Sequence, residues 1–372
     1  MSKTVKVAAI KFSILSFLLL FLSACGSDSS SNLSTQVPAQ GVRILGMDVK
    51  SVPSATYASA YNQAVTMGVR EVSVSLDWAL LEPSEGNYDN TLPDIIDTFY
   101  SLQNADLTLV LRPLDTPGPR LPSDLAGLPF NDPSVITAFD NFLTNLHARL
   151  PTLNASGKLK WIHVGNEIDA NLGSDVTKWA QWQIFFNAAK TKIESLWGSG
   201  IEVSSIIQFS TLKNPGRLAL YNNLLPTLDS AAITYYPLNA DFTMQAVSVV
   251  ASDFNLMVNA ISNKPILLQE CGYASSSVNG SSEQLQADFI SAVFNAWDTQ
   301  RARIKLIDFA WQYDVSEARV DQWVIDFGMS GQADENAFKQ YLWTLGLSNY
   351  DASEKLALQR LRDELQARLW VQ

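Results

Sequence analysis

Cysteine and histidine are nearly absent from this 372-residue chain, which has two of each. They are Cys25, Cys271, His147 and His163. So few thiol and imidazole groups exclude a His/Cys metal cluster, and no metal is expected, although a carboxylate site of the calcium kind stays open. Surplus positive charge is lacking too. Against 37 Asp and Glu there are 26 Lys and Arg, for a net charge of -11. Nothing offers phosphates a basic face, which excludes a nucleic-acid partner. The glycine-rich turn that follows the first strand of a dinucleotide-binding sheet is missing, since Gly46-Met47-Asp48-Val49 stands in its place. What the chain has in quantity is apolar and aromatic side chains. Hydrophobic residues make up 47% and charged ones 17%, enough for a large core. Ten Trp and eleven Tyr supply flat faces of the kind that stack on sugar rings, though most must be core.

Residues 1–24 read as an export signal. Lys3, Lys6 and Lys11 precede an apolar run at 14–22 that is too short to cross a bilayer comfortably. The run ends in Leu22-Ser23-Ala24-Cys25, which resembles the bacterial lipobox. That resemblance implies cleavage before Cys25, lipidation of Cys25, and a membrane-anchored protein of the bacterial cell envelope, on the outer membrane or cell surface. Cys271 is then alone, so no intrachain disulfide can form despite the oxidising compartment. Residues 25–40, rich in Ser, Asn and Gln, read as the lipidated Cys and a flexible tether, and 41–372 as one catalytic domain.

From Gly41 onward, short apolar runs alternate with amphipathic stretches, which is the pattern of parallel β/α units. Strands are predicted at 43–49, 71–77, 107–112, 159–165, 203–209, 231–235, 265–269 and 304–311. Helices are predicted at 57–68, 92–102, 133–150, 177–197 and 282–299. Eight units in about 300 residues predict the α/β class and a (β/α)8 TIM barrel. A last helix at 353–370, with Leu358, Leu361, Leu365 and Leu369 on one face, should pack on the barrel's outside.

Such a barrel places its site at the C-terminal ends of the strands. Those ends read Asp48, Trp78, Arg112, Asn166-Glu167, Gln208, Tyr235-Tyr236, Glu270 and Trp311. Two glutamates thus end apolar runs, where a bare carboxylate is costly unless it is paired or used. Two carboxylates across a sugar are what glycosidic cleavage needs: one protonates the leaving oxygen, and the other attacks or activates water. Arg112 is expected either to pair with Asp48 or Glu270 or to touch substrate. Trp78 lines the cleft or the core. Trp179 and Trp182, three apart on a helix, read as core. His163 reads as a barrel histidine and Cys271 as a small buried residue.

His163-Val164-Gly165-Asn166-Glu167 resembles the strand-four signature of glycoside hydrolase clan A, and Lys264-Pro265-Ile266-Leu267-Leu268-Gln269-Glu270 its strand-seven signature. The resemblance implies a retaining glycosidase, with Glu167 as acid/base and Glu270 as nucleophile. The two carboxyls should stand about 5–5.5 Å apart, with Glu167 raised in pKa. It further implies Asn166 as donor to the sugar 2-hydroxyl, Tyr235 or Tyr236 bonded to the nucleophile, and Trp311 under the sugar ring. The chain departs from the clan at strand two, where Leu76-Asp77-Trp78 lacks the frequent Arg and Asp77 or Arg112 must take over.

The segment from Gln269 through Ser276 is similar to a run in β-1,3-glucanases, except that Ala274 replaces a proline. The first expectation is therefore an endo-β-glucanase that prefers β-1,3-glucan, with β-1,4-galactanase and β-mannanase as alternatives. From another class, a non-catalytic glycan-binding lipoprotein would normally lose one carboxylate, and both are present. A transglycosylase would share every residue named. No cofactor is implied. The partners expected are a β-linked polysaccharide or oligosaccharide and, through Cys25, a membrane; the protein is expected to be a monomer. Loops 113–131 and 312–335 should wall the cleft, the first stiffened by its prolines.

Overall fold

The structure, a computed structural model, describes residues 37–370. The signal segment, Cys25 and the first part of the tether lie outside the described residues. Among those described, no helix is long and apolar enough to cross a membrane.

Eight parallel strands form the barrel. They are β1 (Ile44–Met47), β2 (Glu71–Asp77), β3 (Asp106–Arg112), β4 (Leu159–Val164), β5, β6 (Ala231–Tyr235), β7 (Ile266–Cys271) and β8 (Ile304–Phe309). The strand β5 is interrupted at Ser205 into Glu202–Ser204 and Ile206–Gln208. Its lower half pairs with β4 and its upper half with β6, so the sheet begins and ends on the same strand and the barrel closes there. The continuous run expected at 203–209 is broken because the Ser205 hydroxyl turns to the Val164 carbonyl at 2.6 Å and accepts from the Trp182 indole at 3.2 Å.

Around the barrel lie α1 (Tyr57–Met67), α2 (Thr91–Tyr100), α3 (Pro133–Arg149), α4 (Val176–Trp197), α5 (Pro215–Leu224), α6 (Val249–Ala260) and α7 (Glu283–Gln300). Beyond β8 come α8 (Glu317–Asp326), α9 (Glu335–Trp343) and α10 (Leu356–Ala367). The starts are chemically marked. Thr56, Asp132, Asp175 and Ser282 each accept a backbone N–H from the first turn, and Pro133 sits where no N–H is needed. Trp179 and Trp182 are core, as expected. The last helix packs on α7 through Leu358, Leu361 and Leu365, but it stops before Leu369, which takes a left-handed backbone and faces solvent. Trp370 is buried in its stead, against Phe294 and Trp297.

The barrel's lumen is part apolar and part polar. Trp161, Leu267 and Leu306 form one small cluster, with Ile44 packed against it, and Val110, Ile206 and Ala232 form another. Between β2 and β8, however, Glu71 and Asp308 are both fully buried, near Thr108 and Gln269. His163 is a barrel residue, its Nε2 2.9 Å from Gln269 Oε1. Burial pushes Glu71 up to about 8 and Asp308 well above its ordinary value. Such carboxyls hold protons that the unfolded chain has released, so stability falls as pH rises from the unfolded value of 4.5 towards about 8. The loss is up to about 1.4 kcal/mol per pH unit per group. His163, pushed down by burial from 6.5 to about 4, has the opposite effect, which fades over about one pH unit above 6.5 as the unfolded imidazole loses its last protons. Urea melts should therefore show stability falling between about pH 6.5 and 8, and Glu71→Gln should flatten that fall. A flat or rising wild-type profile would show that these carboxyls are not buried as acids.

Candidate active site

Strand β4 ends at Val164, and the chain then turns sharply. Gly165 has φ 82°, and a Cβ there would lie 2.6 Å from the Trp182 ring, so only glycine serves. Glu167 follows in a left-handed backbone at φ 44°. Its side chain is 8% exposed and held at both oxygens. Oε1 accepts from the Thr234 hydroxyl at 2.5 Å, and Oε2 accepts from the Thr116 hydroxyl at 2.8 Å and the Gln208 amide at 3.0 Å. Burial raises the Glu167 pKa, and these donors and the nearby Asp115 charge act after it.

Glu270 lies within β7, which runs two residues past its predicted end, to Cys271. Cys271 is fully buried, as expected. The Tyr236 hydroxyl donates to Glu270 Oε2 at 2.7 Å. Gly272 makes room for that ring, since a Cβ there would meet Tyr236 at 2.7 Å. Burial and then the Glu167 charge push Glu270 up to about 8. Two carboxyls in each other's field, one buried and one half-buried, titrate as a pair that keeps a proton near neutral pH.

Asn166 donates through Nδ2 to Asp115 Oδ1 at 3.1 Å, and its own Oδ1 is buried without a partner. Asp48 and Trp311 flank the site from β1 and β8. Asp48 is half-exposed, pairs with Lys50 at 3.0 Å and contributes to raising Glu270. Trp311 lies just past β8 and is half-buried, with the Lys50 ammonium 3.9 Å from its ring centroid and Trp323 5.4 Å away. Both expected wall segments contribute at this end of the barrel, but only one as a loop: 113–131 supplies Asp115 and Thr116, whereas 312–335 folds in part into α8, which carries Trp323.

Three sequence expectations need correction. Tyr235 does not reach the carboxylates. Strand alternation sends it outward, fully buried, to Asp253 at 3.1 Å between Phe209 and Phe254, and leaves the inner position to Tyr236. Trp78 is core rather than cleft: it is fully buried against Phe139, with its indole on Glu82 at 2.7 Å. A helical turn starting at Trp78 swings the ring out of the barrel mouth. Arg112 pairs with neither Asp48 nor Glu270 but with Asp77 at 2.5 Å and Asp115 at 3.6 Å, because those carboxylates stand beside it on the adjacent strand end and the following hairpin. It thereby braces Asp115 under Asn166.

The site also holds residues to which sequence reasoning gave no role. Gln208 stood among the strand ends, and Thr234, a polar residue on the inner face of β6, had a usable signal. Thr116, in a loop, and Tyr341, on α9, had none. Tyr341 is buried, edge-on to Tyr236 at 5.8 Å and stacked with Phe242, and burial followed by the charges of Glu167 and Glu270 raises its hydroxyl pKa.

Fold and site together define a (β/α)8 barrel with a pair of glutamates at the ends of its fourth and seventh strands. Solved structures of the same fold include GH5_18 from Streptomyces cattleya in complex with GlcNAc, at 15% identity and TM-score 0.66, covering 88% of this chain and 80% of that one. Another is the exo-β-1,4-mannosidase Op5Man5 from Opitutaceae bacterium strain TAV5, at 15% identity and TM-score 0.64, covering 88% and 60%. A third is the GH53 catalytic domain of Ignisphaera aggregans, at 14% identity and TM-score 0.59, covering 89% and 97%. No family model and no curated protein matches the sequence.

Proposed function

We propose that the protein is a retaining glycoside hydrolase acting on β-linked glycans, with Glu167 as acid/base and Glu270 as nucleophile. The observation that carries this reading is the glutamate pair itself, the buried Glu167 cradled by three donors and the half-buried Glu270 held by Tyr236. In the first step Glu167 gives its proton to the glycosidic oxygen, that C–O bond breaks, and Glu270 bonds to the anomeric carbon. In the second, water attacks that carbon, Glu167 takes the water's proton, and Glu270 leaves as carboxylate. Two carboxylates suffice for both steps. Asn166 Oδ1, buried and unpartnered, is placed to accept from a sugar hydroxyl.

Among β-glycans we put β-mannosides first. Support comes from the similar structures, one an exo-β-1,4-mannosidase and another a GH5_18 variant from Streptomyces cattleya in complex with Manb1-4GlcNAc. None of those named here supports the β-1,3-glucan preference expected from residues 269–276, and GH53 keeps galactan on the panel. The test is sugar release by the purified protein from β-mannosides, β-galactans and β-glucans. Activity should fall above about pH 8, where the pair loses its last proton. No release from any member of the panel would remove the hydrolase reading. We further infer that Cys25 carries a lipid and holds the domain at a bacterial membrane surface. The Leu22-Ser23-Ala24-Cys25 run supports this. Failure of Cys25 to incorporate labelled fatty acid in cells would contradict it.

A further inference from the structure

We propose that Gln208 and Asp169 form a positioning unit for Glu167: the Gln208 amide fixes Oε2 as an acceptor, so that the acid proton is carried on and leaves from Oε1. The proposal rests on the glycosidase reading of the site. Its starting point is the broken strand β5. Above Ser205 the strand pairs with β6, and its last backbone bond to the β4 side is Ile206 N–H to the Gly165 carbonyl at 3.2 Å, so no ladder bond ties Gln208 itself to the turn that bears Glu167. Asp169 makes that tie. It is fully buried, two residues beyond Glu167; its Oδ1 accepts the Gln208 backbone N–H at 2.8 Å and its Oδ2 accepts the Thr211 hydroxyl at 2.6 Å. Gln208 in turn sends its side-chain amide back to Glu167 Oε2 at 3.0 Å. The three residues close a ring of contacts across the seam of the barrel.

The chemistry of the donors assigns the proton. A hydroxyl can donate or accept as it rotates, so Thr116 and Thr234 are compatible with either form of Glu167. An amide N–H only donates. With Gln208 and Thr116 both at Oε2, that oxygen serves best as the carbonyl acceptor, and the proton is assigned to Oε1, which meets only a hydroxyl. The same bond stabilises the ionised carboxylate against the burial that opposes it, so the proton stays transferable near neutral pH. The titratable groups facing Glu167 are Glu270 on β7, Tyr236 after β6, Tyr341 on α9, Asp115 in the hairpin after β3, and Asp169 on its own turn. Of these, Asp169 is the one whose carboxyl also holds Gln208.

The test compares pH–rate profiles of the wild type, Gln208→Met and Gln208→Glu. Losing the donor in Gln208→Met should move the alkaline limb of kcat/KM up by roughly one pH unit. It should also slow glycosides with poor leaving groups by roughly 10- to 100-fold, while sparing activated aryl glycosides that need no protonation. Gln208→Glu, which adds a charge beside Glu167, should move the limb further up. A uniform loss on both leaving-group classes with an unmoved limb would overturn the proposal and leave Gln208 as framework. Carboxyl infrared titration with 13C-glutamate, assigned through Glu167→Gln, reads the same shift without turnover. It separates failure of this inference from failure of the glycosidase reading: an unmoved Glu167 band in Gln208→Met refutes the positioning role whatever the substrate.

Discussion

Replacing Glu270 with alanine is expected to lower kcat on the best glycoside by about 10⁴-fold or more, the scale on which loss of a nucleophile registers. On the proposed reading the variant loses the atom that bonds to the anomeric carbon, and the space it leaves admits a small anion. Azide should therefore restore turnover: it attacks the anomeric carbon, the glycosidic C–O bond breaks, Glu167 protonates the leaving oxygen, and the product is a glycosyl azide of inverted configuration. Tyr236 would lose its acceptor, but the ring stays wedged between Gly272 and Tyr341, so the fold should survive. Were Glu270 a framework carboxylate, the loss would be small, or azide would not relieve it. Product stereochemistry by NMR decides between these.

The second large effect lies far from the site. Asp298→Ala is expected to cost the fold roughly 3–5 kcal/mol, because it leaves two buried guanidinium groups without their shared carboxylate. Arg43, at the start of the barrel, reaches Asp298 on α7 at 2.5 Å, and Arg368, after α10, reaches it at 2.7 Å. Both arginines are almost fully buried, with Arg43 over the rings of Trp297 and Trp370 and Arg368 over Phe294. Burial already lowers the Arg43 pKa against the pull of Asp298, which is the signature of a charge that depends on its partner. After the substitution Arg43 keeps the carbonyls of Pro38, Ala39 and Gln40, and Arg368 keeps Glu364, but the carboxylate between them is gone. Removing all three charges together, as Arg43→Met, Asp298→Leu and Arg368→Met, should lose much less than the single change, because no buried guanidinium is then left unpaired and Glu364, partly open to water, keeps the Ser291 hydroxyl. Equilibrium denaturation measures both. A single-variant loss below about 1 kcal/mol would show that the cluster is open to water.

How much of this could be read from the chain follows from how local each feature is. The eight strands and the main helices were legible because each β/α unit carries its own apolar run and periodicity, and several carry a capping residue, as Asp132-Pro133 and Ser282 show. Glu167 and Glu270 were legible for a related reason: each sits at or near the end of such a run, and in a barrel every strand end points to one face. The polar patch in the lumen was not legible, since Glu71 and Asp308 lie far apart in sequence on strands that could equally have faced solvent.

Orientation and partnership were decided by the tertiary structure alone. Of two adjacent tyrosines, one must face in and one out, and only the register of β6 in the closed barrel assigns Tyr236 to Glu270 and Tyr235 to Asp253. Arg112 had several carboxylates within reach along the chain, and packing chose Asp77 and Asp115. Thr116 and Tyr341 enter the site from a hairpin and a late helix, and Gln208 from a strand broken at Ser205. The sequence by itself determined the elements, their order and the chemical groups at the strand ends, because these depend on neighbours a few residues away. Which groups meet, and hence which protons can move, depends on contacts between residues tens to hundreds of positions apart, and those exist only once the barrel has closed.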